Sequence, residues 1–226
     1  MISPSEKQSA LLETYAAAVL QAPGTLNLTA AKDANEFCAR HINDTLHLLA
    51  TLPLNNFLEP LSVLDVGSGN GIPGIVIAIS QPQWQVSLLD SNNKKCGFLD
   101  TFCKTNVIKN VRVLCGRAEN LAHEEGLRET FDLVFARALS KLPVALELCI
   151  PFLKLGGLVI VPHGTSYPYE LKASQKALDE LGARLENTIP YFQNSASHFT
   201  ALLFKKDRHT PERYPRRPGA PEKHPL

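Results

Sequence analysis

The sequence predicts an α/β protein built on one doubly wound, mostly parallel seven-stranded sheet with helices on both faces. Strand-length apolar runs alternate with helical-period stretches from Leu61 to Lys205. A glycine-rich turn from Gly67 to Gly74 joins the first of these strands to the helix that follows. An acid, Asp90, ends the second strand nineteen residues after Gly71, as in a nucleotide-binding βαβ unit. No internal repeat appears.

The elements follow in order. Ser5 to Gln21 reads as a helix with an apolar stripe of Leu11, Leu12, Tyr15, Val19 and Leu20, stopped by Pro23-Gly24. Asn27-Leu28-Thr29 comes next. Asp33, with Glu36 three residues on, caps a second helix to about Leu52. Arg40, His41 and Asp44 cluster on that helix by their spacing. Leu61 to Val66 is the first strand, and Ile75 to Ile79 lies in the helix after the glycines. Gln85 to Asp90 is the second strand, Asn93 to Asn106 a helix, and Val111 to Cys115 the third strand. Gly116-Arg117-Ala118-Glu119 then turns into a short helix. Phe131 to Ala136 is the fourth strand, with Arg137 at its carboxyl end, where ligands bind in such sheets. A helix from Lys141 to Leu153, a Gly156-Gly157 turn and strand Leu158 to Val161 make the fifth unit. A helix from Tyr169 to Leu181 and strands Arg184–Tyr191 and His198–Lys205 finish the sheet.

The glycine turn fits two frames. Gly69-Asn70-Gly71-Ile72-Pro73-Gly74 matches G-x-G-x-x-G, the dinucleotide fingerprint. The other frame begins at Asp65, two residues before Gly67. Free N–H groups at the helix start favour an electron-rich ligand group. An acid at the end of the first strand sits badly beside a pyrophosphate and well beside a cationic cofactor. S-adenosylmethionine, with a sulfonium and an ammonium and no phosphate, suits it better. Asp90 is placed to accept from ribose hydroxyls, and Ala118 and Glu119 to meet an adenine face and its amine.

At 226 residues, 44% hydrophobic and 20% charged, the chain has the composition of one soluble domain with a small appendage. Its net charge of +1 argues neither for nor against nucleic acid. No apolar run has transmembrane length, and no signal-peptide layout opens the chain. Five cysteines without a C-x-x-C pair read as buried thiols of a cytoplasmic protein, with no metal site. From Lys205 onward, seven Lys/Arg stand against three acids, with five prolines. That stretch cannot form a core; it suits contact with phosphates or the protein's own surface, or serves as a solubilising tail. The expected division is an N-terminal helical extension (1–53), a catalytic domain (54–206) and a basic, proline-rich tail (207–226).

These segments resemble the bacterial small-subunit ribosomal RNA methyltransferase G family, also called glucose-inhibited division protein B. The matching residues are Asn27-Leu28-Thr29, Arg40-His41-x-x-Asp44-Thr45 and Leu64-Asp65-Val66-Gly67-Ser68-Gly69-x-Gly71-Ile72-Pro73-Gly74. Leu88-Leu89-Asp90-Ser91, Gly116-Arg117-Ala118-Glu119 and Ala136-Arg137-Ala138 match as well. The resemblance spans about Thr25 to Lys206, and the tail also looks like that of some members. It implies a Rossmann-like class I S-adenosylmethionine-dependent methyltransferase acting at N7 of guanine-527 in 16S rRNA, within the small subunit or its assembly intermediate, as a cytoplasmic monomer. Carried over, the cofactor contacts are Gly67, Ile72, Asp90, Ser91, Asn92, Ala118, Glu119 and Arg137. Asn27, Arg40, His41, Asp44, Arg117 and His163 fall on the RNA side.

Two departures stand out. The family's Trp-Asn before Asn-Leu-Thr is replaced by Gln21 to Leu26, and His163-Gly164 stands where Lys-Gly is usual. If that lysine touches phosphate, a mostly neutral histidine binds it more weakly. Guanine N7 carries no proton at neutral pH, so no general base is required. None is evident: Arg137 follows strand four, and an arginine can position but not deprotonate. An NAD-dependent oxidoreductase would need a hydride-transfer partner such as Tyr-x-x-x-Lys, which is missing. A catalytically inactive RNA-binding module would not need the intact loop.

Overall fold

Seven strands form one sheet in the order β3-β2-β1-β4-β5-β7-β6. They are β1 (Ser62–Val66), β2 (Gln85–Asp90), β3 (Val111–Cys115), β4 (Phe131–Phe135), β5 (Leu153–His163), β6 (Ala183–Asn194) and β7 (Ser197–Lys206). The computed structural model describes residues 4–54, 57, 60–194 and 197–226. The first five strands pair in parallel. β7 runs antiparallel to both β5 and β6. Chain order reverses between β1 and β4, which opens a crevice at their carboxyl ends, the place where open α/β sheets hold ligands.

Period-2 alternation divides the sheet between two cores. Val63, Leu133, Phe135 and Ile160 face one cluster, packed under α1 (Glu6–Gln21), α4 (Gly74–Ser80) and α5 (Asn93–Thr105). Leu64, Val66, Val134 and Val159 face the other, under α6 (Ala118–Leu121), α7 (Leu142–Cys149) and α9 (Gln175–Leu181). The first core also takes in α2 (Ala34–Phe37) and α3 (Asn43–Thr51) through Phe37 and Leu48.

Several elements differ from the sequence expectation for identifiable reasons. The helix expected from Asp33 to Leu52 is divided by a π-turn, Cys38–Ile42, which carries Arg40 and His41. The helix expected to reach Leu153 stops at Cys149, because Pro151 cannot continue it, and a 3₁₀ turn (Ile150–Phe152) follows. β5 begins at Leu153 rather than Leu158, since Leu153 already pairs with Phe131 before a register shift. The helix expected over 169–181 is α8 (Tyr167–Ala173) and α9, broken at buried Ser174, whose Oγ donates to the Glu170 carbonyl at 2.7 Å. Cys96, Cys103 and Cys149 are buried, but Cys115 is exposed at the end of edge strand β3 and Cys38 half-buried.

Of the surfaces open to the tail, the structure places it on the protein's own. Arg128 donates to the carbonyls of Thr210 (2.7 Å) and Tyr214 (2.9 Å). Buried Tyr214 donates to Glu180, and Arg216 meets Glu147 of α7. The short helix α10 (Ala220–Lys223) ends the path against α7. Among the described residues, no helix is long and apolar enough to cross a membrane.

Candidate active site

Two clefts meet at the carboxyl ends of the strands. The first, about 270 Å³, is lined by Gly67, Gly69, Asp90, Ser91, Ala118 and Glu119. Asp90 braces it: Oδ2 accepts from the Gly69 N–H and Oδ1 from that of Asn92, both at 2.8 Å. Gly67 takes φ +73°, and a Cβ there would stand 2.4 Å from Leu139 Cδ1, so the loop after β4 closes directly onto the glycine turn. Further contacts fix the turn from outside. The Tyr15 hydroxyl of α1 donates to the Asn70 carbonyl, and the Asn70 amide donates to the Leu28 carbonyl at 3.0 Å. The Asn27-Leu28-Thr29 segment thus acts on this turn, with Asn27 itself in the left-handed region.

Asp65 has a different place from the one its sequence position suggests. Alternation along β1 sets it on the same face as Val63, beneath α4 and away from the cleft. It is 1% exposed, and its Oδ2 accepts from the Gly74 N–H at 3.0 Å. Gly74 is required there, since a Cβ would meet Leu88 Cδ2 at 2.1 Å and Asp65 Oδ2 at 2.9 Å. The acid therefore does not face a cationic cofactor. It fills the start of α4, the position a dinucleotide's pyrophosphate would need, and so opposes that reading by occupation rather than by repulsion.

Burial raises the Asp65 carboxyl from 3.8 to about 7. A raised folded-state value means a contribution to stability fully present below the unfolded value and lost as pH rises through the folded one. We expect Asp65→Asn, which keeps an acceptor for Gly74, to flatten the fall in melting temperature between pH 4 and 7 relative to wild type. Parallel thermal melts of the two proteins across that range check this; curves of identical slope would contradict it.

Glu119 is 4% exposed and already partnered. Arg117 donates to it through Nη2 (2.6 Å) and Nε (3.2 Å), and the Gly219 N–H of the tail through a 3.0 Å bond. Burial works against its charge, but the Arg117 guanidinium and backbone N–H donors outweigh that and hold the carboxylate below its usual range. Arg117, expected on the RNA side, thus lines this first cleft. Glu222 of the tail lines it too, accepting from the Ser140 hydroxyl at 3.2 Å. Ile72 is buried in the core and Asn92 caps α5, and neither is in the cleft wall.

The second cleft, about 280 Å³, shares Ala138, Leu139 and Ser140 with the first. Asp44, Arg137, His163, Tyr191 and Phe199 are among its other lining residues. Arg137, expected among the cofactor contacts, is in this cleft and not the first; its Nη2 donates to Asp44 Oδ2 (2.9 Å) and to the Arg40 carbonyl (3.1 Å). It ties the π-turn to the end of β4. His41 packs edge-on against Phe37. Burial first, then the charges of Arg137 and Arg40, lowers His41 to about 4, so it is neutral at physiological pH. Burial raises the Asp44 carboxyl, opposed by Arg137. His163 Nε2 lies 3.3 Å from Glu170 Oε1. Arg40 is exposed on the surface beside this cleft, bonded to Glu36 at 2.8 Å.

A larger opening, about 700 Å³ and lined by Pro53, Asp132, Lys154 and Gly157 among others, lies where β1, β4 and β5 begin. That is the end of the sheet opposite the crevice, and the chemistry-bearing residues are not there.

A family model described as rRNA small subunit methyltransferase G matches residues 8–200. The chain belongs to this family. A relative named ribosomal RNA small subunit methyltransferase G from Oenococcus oeni is 36% identical over 98% of this chain and 91% of its own. One of the same name from Thermotoga maritima is 39% identical over 98% of this chain and 89% of its own. The fold matches a SAM-dependent methyltransferase from Aquifex aeolicus (TM-score 0.57, 17% identity, 81% of this chain and 98% of that one). It also matches the Methanococcus jannaschii fibrillarin pre-rRNA processing protein (TM-score 0.57, 14% identity, 76% and 77%). The fold is that of the class I methyltransferases.

Sequence reasoning missed the tail's part in the first cleft, and missed Tyr191. One signal for the tail was available: Glu147 stands alone in the apolar run Leu142 to Cys149, and a charge so placed needs a partner from elsewhere.

Proposed function

We propose that the protein transfers a methyl group from S-adenosylmethionine to N7 of guanine-527 in 16S rRNA. Membership of the family over nearly the whole chain carries the reading, and two clefts meeting at Ala138 to Ser140 agree with a donor and an acceptor side by side. The first cleft fits the nucleoside part of the donor. Gly67 and Gly69 line it without side chains of their own, Ala118 offers an apolar wall, and Asp90, with two backbone bonds made, keeps lone pairs for ribose hydroxyls. Gly67, Asp90, Ser91, Ala118 and Glu119 would hold it there. Ile72 and Asn92 support that cleft from outside its wall.

When bound, the donor supplies an electrophilic methyl group. The chain's residues need only orient and shield, because guanine N7 has no proton to lose. Neutral His41 and paired Arg137 agree with positioning rather than proton transfer, and well-oriented reactants gain about 7–11 kcal/mol in this way. Arg40, His163 and Asn27 belong on the RNA side in this reading.

The partner is the small ribosomal subunit or its assembly intermediate, met in the cytoplasm by a monomer. Residues 1–53 form an extension on a catalytic domain of residues 54–206, with 207–226 as the tail. The test is methylation of deproteinised 16S rRNA, naked and within the small subunit, with the product mapped. N7-methylguanine at the one position supports the reading; methylation at N1 or N2, or of transfer RNA alone, overturns it.

A further inference from the structure

The second cleft contains an uncommon concentration of unmet hydrogen bonds. Among the described residues, three buried side-chain polar atoms are without a partner: Asp44 Oδ1, Arg137 Nη1 and Tyr191 Oη. All three belong to side chains of this one cleft. Asp44 and Tyr191 are each 2% exposed, so solvent does not supply what the protein withholds. Buried polar groups are nearly always bonded, and here the three exceptions belong to residues that line one cleft. Beside them, Tyr191 stacks on Phe199 with ring centroids 6.0 Å apart and planes at 29°. A carboxylate acceptor, a guanidinium donor, a phenol and an apolar aromatic wall together describe a seat for one planar, polar-edged ring.

We propose that this cleft receives the acceptor base itself, flipped out of the RNA, and that Asp44, Arg137 and Tyr191 read it as guanine. This rests on the methyltransferase reading above and goes beyond it in assigning the base-reading atoms. Guanine presents N1–H and an N2 amino group beside an O6 acceptor. Asp44 Oδ1 accepts from the two donors and Arg137 Nη1 donates to O6, after the side-chain rotations that are common on binding. The Tyr191 hydroxyl is the third polar contact, and its ring with Phe199 walls the base. Adenine inverts the pattern: its N1 lone pair would face the carboxylate and its amino group the guanidinium, two repulsive contacts.

The arrangement also acts on rate. Methylation at N7 gives the ring a positive charge and makes N1–H a stronger donor. A carboxylate at that edge therefore binds the charged ring more tightly than the neutral one, which is differential stabilisation. Asp44 is oriented for this by Arg137, which takes its other oxygen.

The test uses the full-length protein and 16S rRNA prepared with guanine or inosine at the modified position; inosine lacks only the N2 amino group. Product mapping on the guanine RNA with wild-type protein tests the underlying reading by itself: modification elsewhere rejects that reading. With N7 product in hand, the base-reading assignment is tested separately. Tyr191→Phe is expected to lower kcat/KM for RNA about tenfold. Because it removes an unpartnered hydroxyl, it leaves the melting temperature unchanged or raised, and cofactor affinity unchanged. Inosine is expected to cost the wild type about tenfold, and Asp44→Asn little or nothing further, since the partner of the missing amine is already weakened. Full activity in Tyr191→Phe, or an inosine penalty equal in wild type and Asp44→Asn, would overturn the assignment.

Discussion

Arg137→Ala is expected to lose activity by about 100-fold or more under single-turnover conditions, the scale of effect that misplacing a reacting group produces. The argument is geometric. Arg137 follows β4 at the crevice, and its guanidinium joins two pieces of chain far apart in sequence, Asp44 (2.9 Å) and the Arg40 carbonyl (3.1 Å). Alanine frees the π-turn from the sheet and leaves a buried carboxylate without its counter-charge, so the second cleft loses the contact that fixes its wall. Arg137→Gln separates position from folding, since it returns a donor to Asp44 without the charge; it should recover stability more than rate. His41→Ala should lose far less, because that imidazole is already neutral, and the pH–rate profile should show no inflection from it. Full single-turnover activity in Arg137→Ala would refute positioning by this residue.

The sheet was legible because its signals are local. Strand-length apolar runs, a glycine turn and the Asp90 spacing each depend on neighbouring residues, and the first four parallel strands match their expected spans to within a residue at either end. Errors gather where a distant contact overrides the local pattern. Leu153 belongs to β5 because Phe131 pairs with it, which the Gly156-Gly157 signal could not convey. The π-turn at Cys38–Ile42 brings the Arg40 carbonyl to Arg137, a contact that helical periodicity hides.

The site follows the same rule. Asp90 is visible from spacing along one βαβ unit, and Asp65 stands out by its position, yet its direction is set by strand alternation. The two faces of β1 put Val63 and Asp65 together beneath α4, opposite Leu64 and Val66. Tyr191 gave no sequence signal of its own, since an aromatic in a strand is ordinary core material. It becomes informative only when its hydroxyl is found beside Asp44 and Arg137 without a partner.

The tail yields the second large effect. Arg216→Ala is expected to destabilise the protein by about 3–5 kcal/mol, because it strips a buried carboxylate of its counter-ion. Glu147 is fully buried in α7 and accepts from Arg216 through Nη2 (2.6 Å), Nε (2.9 Å) and the backbone N–H (2.9 Å). Only the backbone bond survives the substitution. For a chain of this length the melting temperature should fall by roughly 10 °C. Glu147→Gln in the same background should restore much of it, because removing both charges avoids the unpaired one; failure of the double variant to recover would mean the loss is of packing. The effect should also reach the first cleft, where the proposed function places the cofactor. Three residues past Arg216, Gly219 donates to Glu119, and Glu222 meets Ser140 at the cleft wall. With the anchor gone, both contacts loosen, so the KM for cofactor should rise while kcat at saturating cofactor changes little. An unchanged cofactor KM would show that the tail is a brace for α7 alone and has no part in the cleft beside it.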